Sequence, residues 1–269
     1  MEIVGYIAAV LIGISLGLIG GGGSILTVPV LVYLLGIDAV LATGYSLFIV
    51  GITSLVGGAR AFINKTVDFR AVSLFGIPSI LTIFIARHFV LPIIPDHLFR
   101  VGTIDIGKGS FLMLIFSLLM LLSAFFMLRD TTDPDETITE ERETIQQYKM
   151  LSLLVPGLIV GFTTGLLGAG GGFLIVPALV LLLRLPMKTA IGTSLLIIAI
   201  NSIFGFVFSI GHYHFNWNIL LIFTGLAVGG VVIGSMLSQK INAESLKRIF
   251  GWFVLLMAIY IIVNELFLH

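Results

Sequence analysis

The chain has 269 residues, of which 58% are hydrophobic and 10% are charged, and its mean hydropathy is +1.17. Soluble domains carry about a quarter charged residues, so this composition predicts a polytopic membrane protein. The formal net charge is zero, which gives no reason to expect nucleic acid as a partner. The absence of cysteine excludes disulfides, thiolate metal sites and a cysteine nucleophile.

Two short apolar segments open the chain, at 3–19 and 24–35, and a run of four glycines separates them. Each segment is shorter than the ~20 residues that a full crossing needs. We therefore expect a hairpin that enters and leaves the membrane on one side, with its second helix starting near Ser24. The first segment lacks a basic region before it and a small-residue cleavage site after it, so it is expected to belong to the mature protein.

The remaining chain predicts three full spans in each half, on either side of a polar linker. The second half opens, like the first, with two short apolar segments, at 151–167 and 173–183. We predict a first transmembrane repeat at 1–128, a charged cytoplasmic linker at 129–149, which is too polar to lie in lipid, and a second transmembrane repeat at 150–269. The six full spans are predicted at 39–59, 71–86, 111–128, 189–210, 219–237 and 249–266.

An internal repeat relates the two halves. A shift of 148 positions aligns 13–57 with 161–205 without a gap, and in each copy a proline follows the glycine run. The predicted fold class is therefore an all-α polytopic membrane protein with two repeats, each a glycine-broken helical hairpin followed by three transmembrane helices.

Basic residues indicate that the two repeats are inverted, because loops rich in Lys and Arg stay in the cytoplasm. The loop after the first full span carries Arg60, Lys65 and Arg70, whereas its counterpart at 211–218 carries none. Equivalent loops therefore lie on opposite sides of the membrane. This arrangement needs an odd number of crossings in each half, and three crossings meet that condition. Both termini come out extracytoplasmic. The basic residues expected on the outer side are Arg87, Arg100 and Lys108.

The glycine runs predict a substrate site. Irregular backbone survives at membrane depth only where protein buries it or where it lines a wet cavity, and paired broken helices in the two halves of a transporter mark its binding site. Free amides and the positive ends of the helices starting near Ser24 and Gly172 would attract a small anion. The alternative is close helix packing, which fits Gly13 with Gly17 and Gly161 with Gly165 better than it fits the runs.

Polar side chains on the first full span of each half add hydrogen-bond donors that carry no charge. Ser46 and Thr53, like Ser194 and Asn201, are seven positions apart and so share a helix face. Capping and helix–helix contacts are the alternative role for these side chains. The predicted substrate-binding residues are Gly20, Gly21, Gly22, Gly23, Ser24, Thr43, Ser46, Thr53, Gly168, Ala169, Gly170, Gly171, Gly172, Thr193, Ser194 and Asn201.

The glycine runs, the repeat and the charged centre resemble the sulfite exporter TauE/SafE family of membrane permeases. The resemblance covers nearly the whole chain. It rests on the Val-Pro after each run, at 28–29 and 176–177, and on Ala-Thr-Gly-Tyr-Ser at 42–46 and Ala-Ile-Gly-Thr-Ser at 190–194. It implies a plasma-membrane permease that moves sulfur-containing anions such as sulfite, sulfonates or sulfoacetate.

These observations favour a secondary transporter that grips a small anion between the hairpins and works by alternating access. An anion channel lined by the same breaks is the alternative. An intramembrane enzyme has no support, because the sequence holds neither HExxH nor GxSxG, and no Gly-Lys-Ser/Thr follows a glycine run. No cofactor is expected. The expected partners are the anionic substrate and the lipid bilayer, but not nucleic acid; a coupling ion, H+ or Na+, and a homodimer are left open.

Overall fold

The computed structural model of the protein describes residues 2–101, 104–128, 153–183, 185–211, 213–237 and 243–267. The predicted charged linker at 129–149 lies outside these residues. Within them the chain forms a bundle of helices, which confirms the all-α membrane class.

The elements of the first half differ from those of the second by a short insertion of strands. The first half contains α1 (Glu2–Ile19), a 3-10 helix (Gly21–Leu26), α2 (Thr27–Tyr33), α3 (Ala39–Ile63), α4 (Phe69–Ile85), a π-helical turn (Ala86–Val90), α5 (Leu91–Ile93), β1 (His97–Val101), β2 (Ile104–Gly107) and α6 (Lys108–Leu128). The second half contains α7 (Leu154–Leu167), α8 (Gly172–Leu183), α9 (Met187–Ile210), α10 (Trp217–Leu237) and α11 (Ala243–Phe267).

Five of the described helices are long and apolar enough to cross a membrane: α3, α4 continued through α5, α6, α9 and α10. They correspond to five of the six predicted spans. The sixth, α11, is helical from Ala243 to Phe267, but its apolar part covers only Gly251–Leu266. Large apolar side chains such as Ile77, Leu118 and Leu221 are exposed on the outside of the bundle, where lipid would cover them.

The antiparallel hairpin of β1 and β2 is the one departure from helix that the sequence did not predict. Phe99 pairs with Ile106, and Val101 pairs with Ile104. The β-branched residues Val101, Ile104 and Ile106 favour strands. The hairpin joins α5 to α6.

Equivalent residues of the two halves make equivalent contacts. Along α1 and α10, Gly13 lies against the backbone of Ala227 and Gly17 against that of Val231. Along α7 and α4, a shift of 148 positions reproduces both pairs, since Gly161 lies against Ser79 and Gly165 against Ile83. The predicted packing role of these four glycines is therefore present in both halves. The helix caps repeat as well, because Asp68 caps α4 and Asn216 caps α10.

The central pair of helices, α3 and α9, runs antiparallel. Gly51 lies beside Ile203, Gly57 lies beside Leu195, and Gly205 lies beside Leu47. Residue numbers therefore increase along α3 in the direction in which they decrease along α9. Because α3 and α9 are equivalent elements of the repeat, their opposed directions are those that two inverted halves would give.

The glycine at each α1–α10 contact is expected to be needed for stability. Replacing Gly17 with alanine would drive a Cβ into the backbone of Val231 and Ser235. Overpacking of this kind costs about 1–3 kcal/mol. Gly229 on α10 has open space around its Cβ position, so Gly229→Ala should stabilise by up to about 1 kcal/mol through the loss of backbone freedom. In thermal unfolding measured in detergent, the midpoint of Gly17→Ala should lie below that of the wild type, and the midpoint of Gly229→Ala should not. Equal midpoints for the two variants would contradict this packing.

Candidate functional site at the glycine breaks

The two glycine breaks meet inside the bundle. Neither Gly21 nor Gly172 has room for a Cβ, because each lies against the other's backbone. The contact lies over the crossing of α3 and α9, where Ile198 approaches Gly21, and both Val50 and Ile198 approach Gly170. We call this meeting point of the two breaks the glycine junction.

The two hairpins fold back on themselves as predicted. In the first hairpin, Gly23 packs against Leu16, and at the far end Gly5 packs against Leu35, so α2 returns along α1. In the second, Gly171 packs against Val160 and Thr164 of α7. Both breaks therefore lie in the interior of the bundle. The buried residues include all of 20–26 and all of 168–173.

The first break is less open than the sequence suggested, and the expectation of a helix start near Ser24 is wrong. A 3-10 helix already begins at Gly21, and Ser24 lies within it with its hydroxyl donating to the carbonyl of Gly21 at 2.7 Å. The reason is backbone conformation, since only Gly20 has a positive φ (75°) in this run. The α-helix proper begins at Thr27 and has only seven residues.

The second break is a true loop, and the predicted helix start near Gly172 is confirmed by α8. Gly168, Gly170 and Gly171 all adopt the left-handed conformation, with φ of 72°, 68° and 69°. L-residues other than glycine reach this region only with strain. Among the described residues, the amides of Ala169, Gly170 and Gly171 have no hydrogen-bond acceptor. They precede the 12 residues of α8, whose dipole places its positive end at the glycine junction.

Buried donors without partners surround this loop. Gly170 lies beside the hydroxyl of Ser202, and Gly171 beside the hydroxyl of Thr164. Neither hydroxyl has a hydrogen-bond partner, nor has the Nδ2 of Asn201, whose Oδ1 accepts from Ser79 at 2.9 Å. We call Thr164, Asn201 and Ser202 the donor cluster. A buried polar group without a partner costs about 1–3 kcal/mol, and a ligand that accepts hydrogen bonds from this cluster would remove that cost.

The predicted hydroxyl residues divide into two groups. The hydroxyls of Thr43, Thr53 and Ser194 donate to carbonyls of their own helices, and the hydroxyl of Thr193 accepts from the amide of Asp68 at 2.9 Å. These contacts are the capping and packing roles that stood as the alternative. Ser46, in contrast, is fully buried and has no partner.

Thr164 and Ser202 are not among the predicted substrate-binding residues, although the sequence places Ser202 among the polar residues of its span. Thr164 lies four positions before Gly168, a spacing that places it on the last turn of the helix leading into the break. Ser202 matches Ser54, and both are buried without partners. The site is also asymmetric, because the residue equivalent to Thr164 in the first half is Leu16.

The surroundings of the donor cluster hold no carboxylate. Among the side chains that the structure describes, Glu265 is the buried acid, and it accepts a hydrogen bond from Tyr33 at the far end of the first hairpin. No group of residues able to hold a metal ion occurs in the described part of the chain. The junction is closed in this structure, because the backbones of Gly21 and Gly172 are in contact. A narrow cleft beside it is lined by Thr163, Thr164, Leu167, Ala169, Gly171 and Phe173.

Comparison with known proteins assigns the chain to a family. The profile of the sulfite exporter TauE/SafE family matches residues 6–261. A protein of Xylella fastidiosa named as a probable membrane transporter is 32% identical over 94% of this chain and 91% of its own length. The probable membrane transporter YunE of Bacillus subtilis is 27% identical over 97% and 99%, and MJ0441 of Methanocaldococcus jannaschii, named in the same way, is 27% identical over 91% and 88%.

No solved structure matches the chain. The family profile covers nearly every described helix, including both glycine breaks and the donor cluster. The chain therefore belongs to the sulfite exporter TauE/SafE family and is a membrane transporter.

Proposed function

We propose that the protein is a secondary transporter of small oxyanions of the sulfite or sulfonate kind, which binds its substrate at the glycine junction and works by alternating access. The observation that carries this proposal is the donor cluster. The hydroxyls of Thr164 and Ser202 are buried without partners beside Gly171 and Gly170, and the amides of this loop also lack acceptors. The Nδ2 of Asn201, next to Ser202 in the chain, is likewise buried and unpaired.

The chemistry of these groups suits an anion. Amides, hydroxyls and the Asn201 Nδ2 all donate, and hydrogen bonds to a charged acceptor contribute about 1.5–3 kcal/mol each. A sulfite or sulfonate group has three oxygens that can accept several such bonds at once. Neutral donors also avoid the cost of a permanent charge at this depth. Among the described side chains, the buried carboxylate is that of Glu265, which Tyr33 holds at the far end of the first hairpin.

The closed junction supports a carrier rather than a channel. A channel requires a continuous pore, whereas here Gly21 and Gly172 are in direct backbone contact. Antiparallel packing of α3 and α9 supports two inverted halves that rock against each other around the junction. We further propose that the protein lies in the plasma membrane with both termini extracytoplasmic, and that an H+ or Na+ gradient drives it.

Uptake into proteoliposomes tests this function. The purified full-length protein should take up labelled sulfite or methanesulfonate faster than empty vesicles do, and the initial rate should saturate with concentration. Flux that does not saturate, together with single-channel currents, would favour the channel. The absence of uptake across a panel of sulfite, methanesulfonate, sulfoacetate and sulfate would contradict the proposal.

A further inference from the structure

Arg87 is a buried cation that the glycine junction does not use. It lies in the π-helical turn after α4, within a continuous helical stretch from Phe69 to Ile93, and only 2% of its surface is exposed. The sequence predicted Arg87 on the outer side, next to the span at 71–86. The structure shows that the helix continues past this span, because the π-turn joins α4 to α5.

The guanidinium of Arg87 has no hydrogen-bond partner, since Nε, Nη1 and Nη2 are all buried and unpaired. Among the described residues, the ionisable group that acts on it is Tyr213, a half-buried phenol in the loop before α10. Burial raises the pKa of Tyr213, so the phenol stays neutral and does not balance the charge. A buried guanidinium without a counter-ion is unfavourable and marks a functional position in a membrane protein.

The turn that carries Arg87 adjoins the same helices as the donor cluster. It packs on α7 and α9, and the methyl of Ala86 meets Gly165, three residues before the second glycine break. Ser79, which donates to Asn201, lies eight residues earlier on α4, or about 12 Å along the helix axis. Ser79 and Arg87 therefore mark two positions, about two helical turns apart, along one side of the bundle.

The other end of the bundle carries a matched arginine that is already satisfied. A shift of 148 positions relates Arg87 to Ser235 on α10, and the Nη1 of Arg60 donates to the Ser235 hydroxyl at 2.5 Å. Among the described residues, the guanidinium of Arg60, from α3, thus reaches the position that is equivalent to Arg87. Arg60 has a protein partner, and Arg87 lacks one.

We propose that Arg87 forms a second anion subsite, between the glycine junction and the end of the bundle that carries the loop at 211–216, and that it holds a monovalent sulfonate or sulfite group through its guanidinium. The planar fork of a guanidinium matches two oxygens of such a group, and π-turns recur at functional sites because they displace a residue from the regular helix. This subsite rests on the proposed function, since it serves the anion that the junction carries.

The test uses the full-length protein in detergent, methanesulfonate and sulfite as probes, and thermal unfolding as the readout. Arg87→Met and Arg87→Gln should unfold at a higher temperature than the wild type without anion, because they remove an uncompensated buried charge. Both should lose most of the concentration-dependent rise that the probes give the wild type, with an apparent Kd at least about tenfold weaker. The matched control Arg60→Met should keep that rise.

Three outcomes would overturn the subsite. Lower stability in both Arg87 variants would show that the protein itself holds the guanidinium. If stable Arg87 variants keep the full anion-dependent rise in unfolding temperature, Arg87 is not a subsite. Saturable uptake by the wild type would in that case still support the proposed function. A wild type that neither binds nor transports any anion of the panel would remove both.

Discussion

Replacing Gly170 with alanine is expected to reduce sulfite uptake by more than about tenfold while the protein still inserts into the membrane. Gly170 has a φ of 68°, which costs an alanine about 1–2 kcal/mol. Its Cβ would also lie 2.8 Å from Val50, 2.9 Å from Ile198 and 3.1 Å from the Ser202 hydroxyl. Either strain moves the loop away from the donor cluster, and each 1.4 kcal/mol of lost binding is a tenfold change. Initial uptake rates, normalised to folded protein from size-exclusion chromatography, measure the effect.

The matched control for this substitution is Gly36→Ala. Gly36 has a similar φ of 65°, but nothing lies within 4 Å of its Cβ position. It therefore carries the cost of the left-handed backbone without the close contacts. If Gly36→Ala slows uptake as much as Gly170→Ala does, the packing of the second break has no special role in transport.

Removing two hydroxyls of the donor cluster is expected to weaken substrate binding without lowering the stability of the protein. The double variant Thr164→Val with Ser202→Ala deletes two buried hydroxyls that have no protein partner, at little change in volume. An unsatisfied buried group costs about 1–3 kcal/mol, so the free energy of unfolding without anion should stay the same or rise. The KM for sulfite should rise about tenfold or more, because the anion loses two charge-assisted hydrogen bonds. Uptake measurements check the expected KM, and thermal-unfolding measurements on the same variant check the expected stability.

Thr224→Val is the matched control for the cluster. The Thr224 hydroxyl is buried but donates to the carbonyl of Leu220 at 2.6 Å, and the residue lies on α10, away from the glycine junction. It should leave the KM for sulfite unchanged and should lower stability slightly. A loss of stability in the double variant of the cluster, with an unchanged KM, would show that its hydroxyls serve the fold and not a ligand.

Much of the fold follows from periodic sequence features. The spans follow from apolar length, and the repeat follows from matches such as Gly13 with Gly161, whose packing contacts the structure then reproduces in both halves. The meeting of the two breaks was predicted on a different ground, because paired broken helices in the two halves of a transporter form its binding site together. These features depend on composition and spacing, which a sequence displays directly.

The details of the site depend on contacts that spacing does not reveal. Gly21 and Gly170 both lie in glycine runs, yet Gly21 begins a 3-10 helix whereas Gly170 adopts a positive φ. Thr193 looked like a ligand donor, but its partner is the amide of Asp68, 125 positions away. Arg87 was expected on the outer side, and its burial without a partner was not predicted. The π-turn that buries it depends on packing against α7 and α9.

The asymmetry of the site has a mechanistic consequence. The second half supplies the open loop and the donor cluster, whereas the first half supplies a closed 3-10 turn and the apolar Leu16. Under the proposed alternating access, the second half would provide most contacts to the anion, and the contact between Gly21 and Gly172 would have to open as the two halves rock.

Amide resonances of the second break give the most direct test that a small anion binds at the glycine junction. The full-length protein, labelled with 15N-glycine, would be titrated with sulfite in detergent micelles, and the signals of Gly170 and Gly171 would be assigned by substitution. We expect both amide protons to shift downfield and saturate, while Gly225 and Gly229, which lie in open space on α10, do not move. Saturable uptake without any shift at Gly170 or Gly171 would place the anion elsewhere and contradict this account.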